Sequence, residues 1–449
     1  MTDEERRTPQ NPTGTEMPPQ QVEEEILDLE KAHPADAADH LENLPLPEQV
    51  QVIQDMPLDD AAESLVEMET PERTELLKEL PPDYAADLLE QMSPDDAADI
   101  LDELDTEHQT TLLKRVEVED ATEIRTLMTF DPDTAGGVMN TEVVVLDQGL
   151  TADQAISFIR KSIEESEIPY YGYVVDENDR LVGVLSLRNL ILSKPGKFLK
   201  DLIADQMLIA ATHDMDQEEV AQLLERYNFL ALPVTDHEGR LLGVVTHDDV
   251  IDIIHEEASE DMLGMVGAGH DESMDTPWLR SVSMRLPWLL VNVANSAIAA
   301  YVVYLFEGTI EQMAVLAALM PIVANQAGNA GHQSLVVMIR HLALERFDRR
   351  KSWTALGRET KVGFVNGLAV AVLVWLGIWL LTKRVDLPSV FATALGLDML
   401  IGNVAGAMIP LVLKEMGRDP AQASSIFITT ITDTGGFFIF LGLASIFLL

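Results

Sequence analysis

The stretch SSIFITTITDTGGFFIFLGLASIFL, from Ser424 to Leu448, contains a single charged residue, Asp433. A run of roughly 20 apolar residues is long enough for a helix to cross a bilayer. Four earlier stretches have the same character: Met284–Phe306, Met313–Ile339, Val362–Leu381 and Val390–Leu413. The sequence therefore predicts an all-α membrane domain of five transmembrane helices over residues 281–449.

Charged and apolar residues are segregated along the 449-residue chain, whose formal net charge is -46. Up to Asp275 there are 66 acidic and 17 basic residues, a net of -49; from Thr276 onward there are 10 and 13, a net of +3. So acidic a surface excludes a nucleic-acid partner. The sequence has no cysteine, which excludes disulfides and thiolate metal sites.

The link between the second and third predicted spans, Arg340–Lys361, holds seven Lys or Arg and three acidic residues. The positive-inside rule places such a link in the cytoplasm. Alternation over five spans then puts the N-terminus and the acidic half in the cytoplasm and Leu449 outside. The predicted location is the cytoplasmic membrane, with several passes.

Polar groups inside the predicted spans indicate an ion pathway. Asp433 lies near mid-membrane, where a carboxylate must face a wet cavity, a partner or an ion; Thr429 lies one turn before it. The alternative is a protonated Asp433 bonded to a neighbouring helix. A second intramembrane acid, Asp398, has less informative neighbours.

The second predicted span is rich in helix-weakening and amide residues. They are Pro321, Asn325, Gly328, Asn329, Gly331 and Gln333. Proline and glycine free backbone carbonyls, which only protein or water can satisfy at membrane depth. Together with one carboxylate, such oxygens suit a hard cation that keeps its water. The alternative use of the amides is contact between helices.

Two internal repeats organise the acidic half. Apolar residues recur every 12 positions between Ala37 and Met128, which predicts short stacked helices forming a superhelical N domain over 23–138. Residues 1–22 are polar and Pro-rich and are predicted to be disordered. Two strand–turn–strand copies follow, Val175–Val184 and Val234–Val244, each flanked by predicted helices.

These copies resemble a tandem pair of CBS (cystathionine β-synthase) α/β domains, over 139–202 and 203–257. Such pairs are regulatory modules that often bind adenine nucleotides. A linking helix is predicted over 258–280, between this pair and the membrane domain. The fold class is therefore multidomain.

This order of domains resembles the MgtE family of magnesium channels, over about Glu23 to Leu449. The membrane motifs that carry the resemblance are the Pro321…Gly328–Ser334 segment, Gly417–Ala421 and Thr429–Asp433. The resemblance implies a homodimer with the pore at the subunit interface, lined by Asn325, Gly328, Asn329, Gln333 and Thr429, in which Asp433 of each subunit holds hydrated Mg²⁺. It also implies that cytosolic Mg²⁺, bound between the N domain, the CBS pair and the linking (plug) helix, closes the pore.

Carried over residue by residue, the resemblance implies a set of Mg²⁺-sensing acids. On the N domain these are Glu63, Asp95 and Asp99; on the second CBS copy they are Glu218, Asp249 and Asp252. At the linking helix they are Glu257, Glu260 and Asp261, and Asp419 lies at the cytoplasmic mouth. The resemblance further implies that ATP could occupy the CBS pair near Tyr171 and Arg188.

The sequence leaves two alternatives to Mg²⁺-selective uptake open. One is a broader transporter of divalent cations such as Co²⁺, Mn²⁺ or Ca²⁺. The other is a membrane-anchored CBS sensor that conducts nothing. No G-x-x-x-x-G-K-[ST] motif appears, so ATP-driven pumping has no support, and the chain is not expected to be an enzyme.

Overall fold

The computed structural model describes residues 29, 31–162, 171–269, 272–274, 276–344, 349–422 and 424–449. The tail predicted to be disordered, 1–22, lies outside these residues. The chain divides into two compact units, with the boundary between Ile254 and His255.

The first unit begins with a stack of short helices. They are α1 (Pro34–Glu42), α2 (Leu46–Asp55), α3 (Leu58–Val66), α4 (Thr70–Glu79), α5 (Pro82–Gln91), α6 (Pro94–Asp102), α7 (Thr106–Leu112) and α8 (Val118–Leu127). Proline occupies the first helical position of α1, α5 and α6, where its missing N–H is not needed. The repeat alanines Ala37, Ala61, Ala85, Ala97 and Ala121 are at most 1% exposed.

Several of these helices pack on the next helix but one: α1 on α3, α3 on α5, and α6 on α8. The small alanines allow this close approach, and the larger apolar residues of each repeat fill the space between helices. The predicted stacked helical repeat is confirmed.

The CBS pair has two three-stranded sheets of the same topology. The strands are β1 (Val145–Asp147), β2 (Tyr171–Val175), β3 (Leu181–Ser186), β4 (Ala211–Thr212), β5 (Ala231–Thr235) and β6 (Leu241–Thr246). The helices are α9 (Ala152–Ser162), α10 (Leu187–Leu192), α11 (Leu199–Ile203) and α12 (Gln217–Tyr227). In each sheet the first pair of strands is parallel and the second antiparallel.

The two copies meet through their hairpins, where Leu181 N–H donates to the Gly239 carbonyl at 2.9 Å. The tandem pair predicted from the repeat is confirmed. The second copy also shares one apolar core with the helical repeat, in which Ala135 and Ala211 are fully buried. The helical repeat and the second CBS copy are therefore packed as one body.

Helix α13 (Asp249–Val266) differs from the predicted arrangement of a CBS helix followed by a separate linking helix. It runs without a break through Ala258, because no proline or glycine interrupts it before Gly264. It ends at Gly267, whose φ of +73° favours glycine. The linking helix thus ends well before residue 280.

The described residues of the membrane half form five long helices and one short one. They are α14 (Trp278–Leu305), α15 (Glu307–Gln312), α16 (Val315–Leu344), α17 (Arg349–Thr382), α18 (Asp386–Glu415) and α19 (Ser424–Phe447). By length and composition, α14, α17, α18 and α19 are apolar enough to cross a membrane. The amides of α16 lower its hydropathy, but α16 packs against α18 and α19 at the centre of the group. Pro321 and the glycines, which the sequence predicts to weaken this helix, lie inside α16, and the helix is continuous.

Candidate functional site

Asp433 lies half-buried on α19, beside threonines whose hydroxyl hydrogens bond within the helix. Thr429 donates to the Ser425 carbonyl at 2.9 Å, and Thr432 donates to the Ile428 carbonyl at 3.0 Å. With their hydrogens used in this way, the hydroxyl oxygens can act only as acceptors. This part of α19 therefore offers one carboxylate and neutral oxygens.

The amide residues of α16 form an exposed polar face. Asn325, Asn329 and Gln333 follow one another at intervals of four and are all exposed. Asn329 Nδ2 donates to Asn325 Oδ1 at 3.3 Å. A Cβ on Gly328 would lie 3.8 Å from Thr432 Oγ1, so α16 approaches α19 here. Amides facing hydrocarbon would lose hydrogen bonds, so this face needs water or protein to cover it.

Asp398 on α18 is fully buried, which sequence reasoning did not anticipate. Within the described part of the chain, neither of its carboxylate oxygens has a hydrogen-bond partner. Its carboxylate lies against Gly436, where a Cβ would overlap with Oδ2. It is also near enough to Asp433 for the two charges to interact. Among the described residues, Asp398 is therefore held by packing rather than by hydrogen bonds.

Asp419 lies where the end of α13 reaches the membrane helices. Its Oδ1 accepts the Ala421 N–H at 2.7 Å, while Oδ2 is buried with no partner among the residues described. A Cβ on Gly264 would lie 3.6 Å from that Oδ2. Met265 packs on an apolar cluster that includes Ile428 of α19. The last turn of α13 thus contacts both Asp419 and the helix that carries Asp433.

Within the first unit, carboxylates of the helical repeat face carboxylates of the second CBS copy. Asp95 and Asp96 lie in the first turn of α6, capped by Ser93, and Asp249 begins α13. The Thr246 hydroxyl donates to Asp249 Oδ2 at 2.6 Å. Asp95 Oδ1 is buried and has no partner among the described residues. Carboxylates of the helical repeat and of the second CBS copy therefore lie together, and one carboxylate oxygen, Asp95 Oδ1, has no hydrogen-bond donor among the described residues.

Burial raises the pKa of Asp95 to about 7, with further contributions from Asp96 and Asp249. Burial is also the main cause of the raised pKa of Asp96, Asp99 and Asp249. A cation among these groups would replace the lost hydration and cancel the repulsion. All donors here are oxygens, as Mg²⁺ prefers, so the residues present fit that ion.

Sequence reasoning missed two members of this carboxylate group. Asp96 of the helical repeat interacts electrostatically with Asp248 of the second CBS copy, as Asp95 does with Asp249. Both missed residues belong to Asp-Asp doublets, and the doublets were the available signal in the sequence.

The other sensing candidates are more dispersed. Glu63 is exposed on α3, and Asp252 is exposed on α13, one turn after Asp249. Glu218 begins α12, where Gln222 Nε2 donates to it at 3.4 Å. Glu257, Glu260 and Asp261 are half-buried on the part of α13 that belongs to the second unit. Only Asp95, Asp99 and Asp249 of the predicted set lie together in the carboxylate group of the first unit.

The nucleotide candidates lie on the first CBS copy. The Tyr171 hydroxyl accepts the Leu230 N–H of the second copy at 3.3 Å, so its ring lies between the copies. Tyr173 adds a second ring, edge-on at 6.4 Å. Arg188 is exposed on α10. An aromatic ring and an exposed cation are suited to a base and a phosphate group.

Comparison with known proteins accounts for most of the chain. A model of the MgtE divalent cation transporter matches residues 320–443. A model of the MgtE intracellular N domain matches residues 32–133, and the CBS domain model matches residues 135–195 and 199–256. The magnesium transporter MgtE of Bacillus subtilis is 36% identical over 325 residues, 72% of this chain and 72% of the relative. The chain belongs to the MgtE family.

The chain is also similar to further magnesium transporters and their solved structures. The magnesium transporter MgtE of Thermus thermophilus is 35% identical over 73% of this chain and 72% of its own length. A crystal structure of the soluble part of a magnesium transporter is 34% identical with a TM-score of 0.50, covering 53% of this chain and 94% of that one. The cytosolic domain of the Mg²⁺ channel MgtE in complex with ATP is 37% identical, with a TM-score of 0.49 over 51% of this chain and 93% of that chain. MgtE is a family of membrane transporters rather than enzymes.

Proposed function

We propose that this chain is a Mg²⁺-selective channel that mediates Mg²⁺ uptake across the cytoplasmic membrane. The observation that carries the proposal is that Asp433 and its threonine oxygens lie on α19, which packs against the helix α16 that carries the exposed amide face. One carboxylate and neutral oxygens attract a dication yet leave its tightly held water in place. The names of the relatives support Mg²⁺ as the transported ion.

A homodimer is part of this proposal. The face defined by Asn325, Asn329 and Gln333 is exposed in the single chain, and lipid cannot satisfy it. A second copy would cover that face and bring a second Asp433 to the pathway. By the positive-inside rule, the basic link after α16 supports a cytoplasmic position for the acidic half and an outside position for Leu449.

We further propose that cytosolic Mg²⁺ closes the channel. Without the ion, the carboxylates of α6 and α13 repel one another and lack water. Mg²⁺ would hold them together, and closure follows if it binds this compact state more tightly than the open one. The remaining proposed ligands are Glu63, Asp99, Glu218, Asp252, Glu257, Glu260, Asp261 and Asp419.

ATP at the CBS pair is a lesser part of the proposal. Tyr171 offers its ring between the two CBS copies, and Arg188 offers an exposed charge. The predicted domain limits 23–138, 139–202, 203–257 and 281–449 are kept as proposals together with these roles, and the linking helix predicted over 258–280 is shortened to the end of α13 at Val266.

The test is Mg²⁺ influx into proteoliposomes that hold the purified full-length chain. We expect Asp433→Asn to abolish influx, because the pathway loses its formal charge. Glu311→Gln, which removes an exposed acid from α15, should leave influx unchanged. Equal influx through wild type and Asp433→Asn would reject the pore role.

Closure is tested separately by patch-clamp with Mg²⁺ varied on the cytoplasmic side. The double variant Asp95→Asn, Asp249→Asn should conduct normally and need more Mg²⁺ to close. An unchanged closing concentration would reject the sensing role while leaving the channel proposal intact.

A further inference from the structure

Two histidines and an aspartate meet at one edge of the second CBS sheet. His213 and Asp214 directly follow β4, and His237 lies in the turn after β5. Because β4 and β5 are parallel, their carboxyl ends share this edge. One ligand atom from each of the three side chains lies within 4.8 Å of the others. The two imidazole rings have centroids 5.0 Å apart.

The backbone around these side chains is well fixed. His213 N–H donates to the Thr235 carbonyl at 3.0 Å, which continues the ladder past β4. In the turn, Asp236 Oδ1 accepts the N–H groups of Glu238 at 3.0 Å and Arg240 at 2.8 Å. The position of His237 is thus set by its neighbours. A ligand set held in place before binding loses less entropy on capturing an ion.

The side chains are also oriented by their surroundings. The His213 ring packs against Phe130, with centroids 5.5 Å apart. The Asp214 carboxylate takes a side-chain hydrogen bond with Thr212. Partners of this kind orient ligands in metal sites. Asp214 and His237 are exposed, so an ion here would keep open positions for water.

The donor set distinguishes this group from the carboxylates proposed to bind Mg²⁺. Mg²⁺ prefers oxygen ligands, whereas imidazole suits zinc, nickel and their neighbours. Two imidazoles and one carboxylate form a common three-ligand set for zinc. We propose that His213, Asp214 and His237 bind a transition-metal dication of the Co²⁺, Ni²⁺ and Zn²⁺ class, at a site independent of the Mg²⁺ sites.

The location gives this site a structural consequence. The His213 carbonyl accepts the Gly136 N–H at 2.9 Å, so His213 holds the segment that joins the helical repeat to the CBS pair. A Cβ on Gly136 would lie 2.7 Å from the Phe130 ring and 2.9 Å from that carbonyl. The backbone at Gly136 therefore packs tightly against the Phe130 ring and the His213 carbonyl. A bound ion would tie the His237 turn to this junction and strengthen it.

The test titrates Co²⁺ into the full-length protein in the presence of saturating Mg²⁺. Excess Mg²⁺ occupies the oxygen sites but competes poorly for imidazole. Calorimetry gives stoichiometry and affinity, and the visible absorption of Co²⁺ reports nitrogen coordination. We expect one such ion per chain. His237→Ala removes a ligand itself and should weaken its binding by more than the roughly 10- to 100-fold that losing an outer-shell partner causes.

The matched control is His108→Ala. His108 is exposed and its Nδ1 lies 2.8 Å from Asp105, so it is a histidine–carboxylate pair without a second imidazole. Its removal should change nothing. Hydrogen exchange shows whether His237→Ala is correctly folded. If it is not, the Asp214→Asn variant is tested instead. Co²⁺ binding that is absent under excess Mg²⁺, or insensitive to both variants, would overturn the site and leave the channel proposal untouched.

Discussion

Asp95→Asn is expected to stabilise the Mg²⁺-free protein while weakening its response to Mg²⁺. The wild-type carboxylate is buried, and its pKa rises from 3.8 to about 7. Since one pKa unit corresponds to 1.36 kcal/mol, the charged form is disfavoured by up to about 4 kcal/mol in the folded state. Asparagine has the same shape and carries no charge.

The sign of the pH dependence follows from proton linkage. The folded state holds the Asp95 proton more tightly than the unfolded state, so wild-type stability falls as pH rises from about 4 to about 7. The stability of Asp95→Asn does not depend on pH through this group, because asparagine does not titrate. Its advantage should therefore be near zero at pH 4 and reach about 4 kcal/mol at pH 8 without Mg²⁺.

Mg²⁺ should reduce this advantage to roughly 1 kcal/mol. An ion at a hundred times its Kd stabilises the state it binds by about 2.7 kcal/mol, and the wild type should gain this while the variant gains little. The assay is hydrogen exchange by mass spectrometry on peptides covering α6 of the full-length protein, corrected for the intrinsic effect of pH. Asp39→Asn, an exposed residue of α1, is the matched control.

One result would refute this reasoning. If α6 is equally protected in wild type and Asp95→Asn at pH 8 without Mg²⁺, the carboxylate is not strained by burial. The proposed driving force for closure would then be lost.

Three further outcomes are expected. Gly436→Ala should destabilise the membrane unit by about 1–3 kcal/mol, measured by thermal unfolding, because the added Cβ overlaps with Asp398. The control Gly435→Ala should leave the stability unchanged, because nothing lies within 4 Å of its added Cβ. The Mg²⁺ affinity of the α6–α13 carboxylates should rise between pH 6 and pH 8, because protons compete with the ion below the raised pKa of Asp95. Calorimetry in buffers of different ionisation enthalpy should show that Mg²⁺ binding releases protons. Binding without proton release would contradict this prediction. Unfolding of the first unit, followed by hydrogen exchange, should need higher temperature in concentrated KCl, since salt screens the net charge of -42 up to Ile254. An unchanged midpoint would exclude charge repulsion as a destabilising contribution.

Local periodicity explains why much of the fold could be predicted. The 12-residue spacing of alanines such as Ala61 and Ala97 encodes helices that stack, and the two hairpins of the CBS pair repeat within one chain. The linking helix was placed too far along the chain, because Gly267 ends α13 before the predicted limit of residue 280. Pro321 weakens α16 as predicted from its missing N–H, but packing of α16 on its neighbours keeps the helix continuous.

The candidate sites were less accessible to sequence reasoning. Asp95 and Asp249 are brought together by a core shared between two domains, and neither local sequence shows that contact. The resemblance to a family supplied them, but it did not supply Asp96 or Asp248. Likewise, Asp398 was visible as an intramembrane acid, yet its unsatisfied oxygens depend on how α18 meets Gly436.

The continuity of α13 has a mechanical meaning. Its 18 residues form a rod of about 27 Å, with Asp249 at one end and Gly264 beside Asp419 near the other. Between them there is no proline or glycine at which the rod could bend. A change at the first turn of α13 is therefore not absorbed by a kink, and the helix turns as one piece.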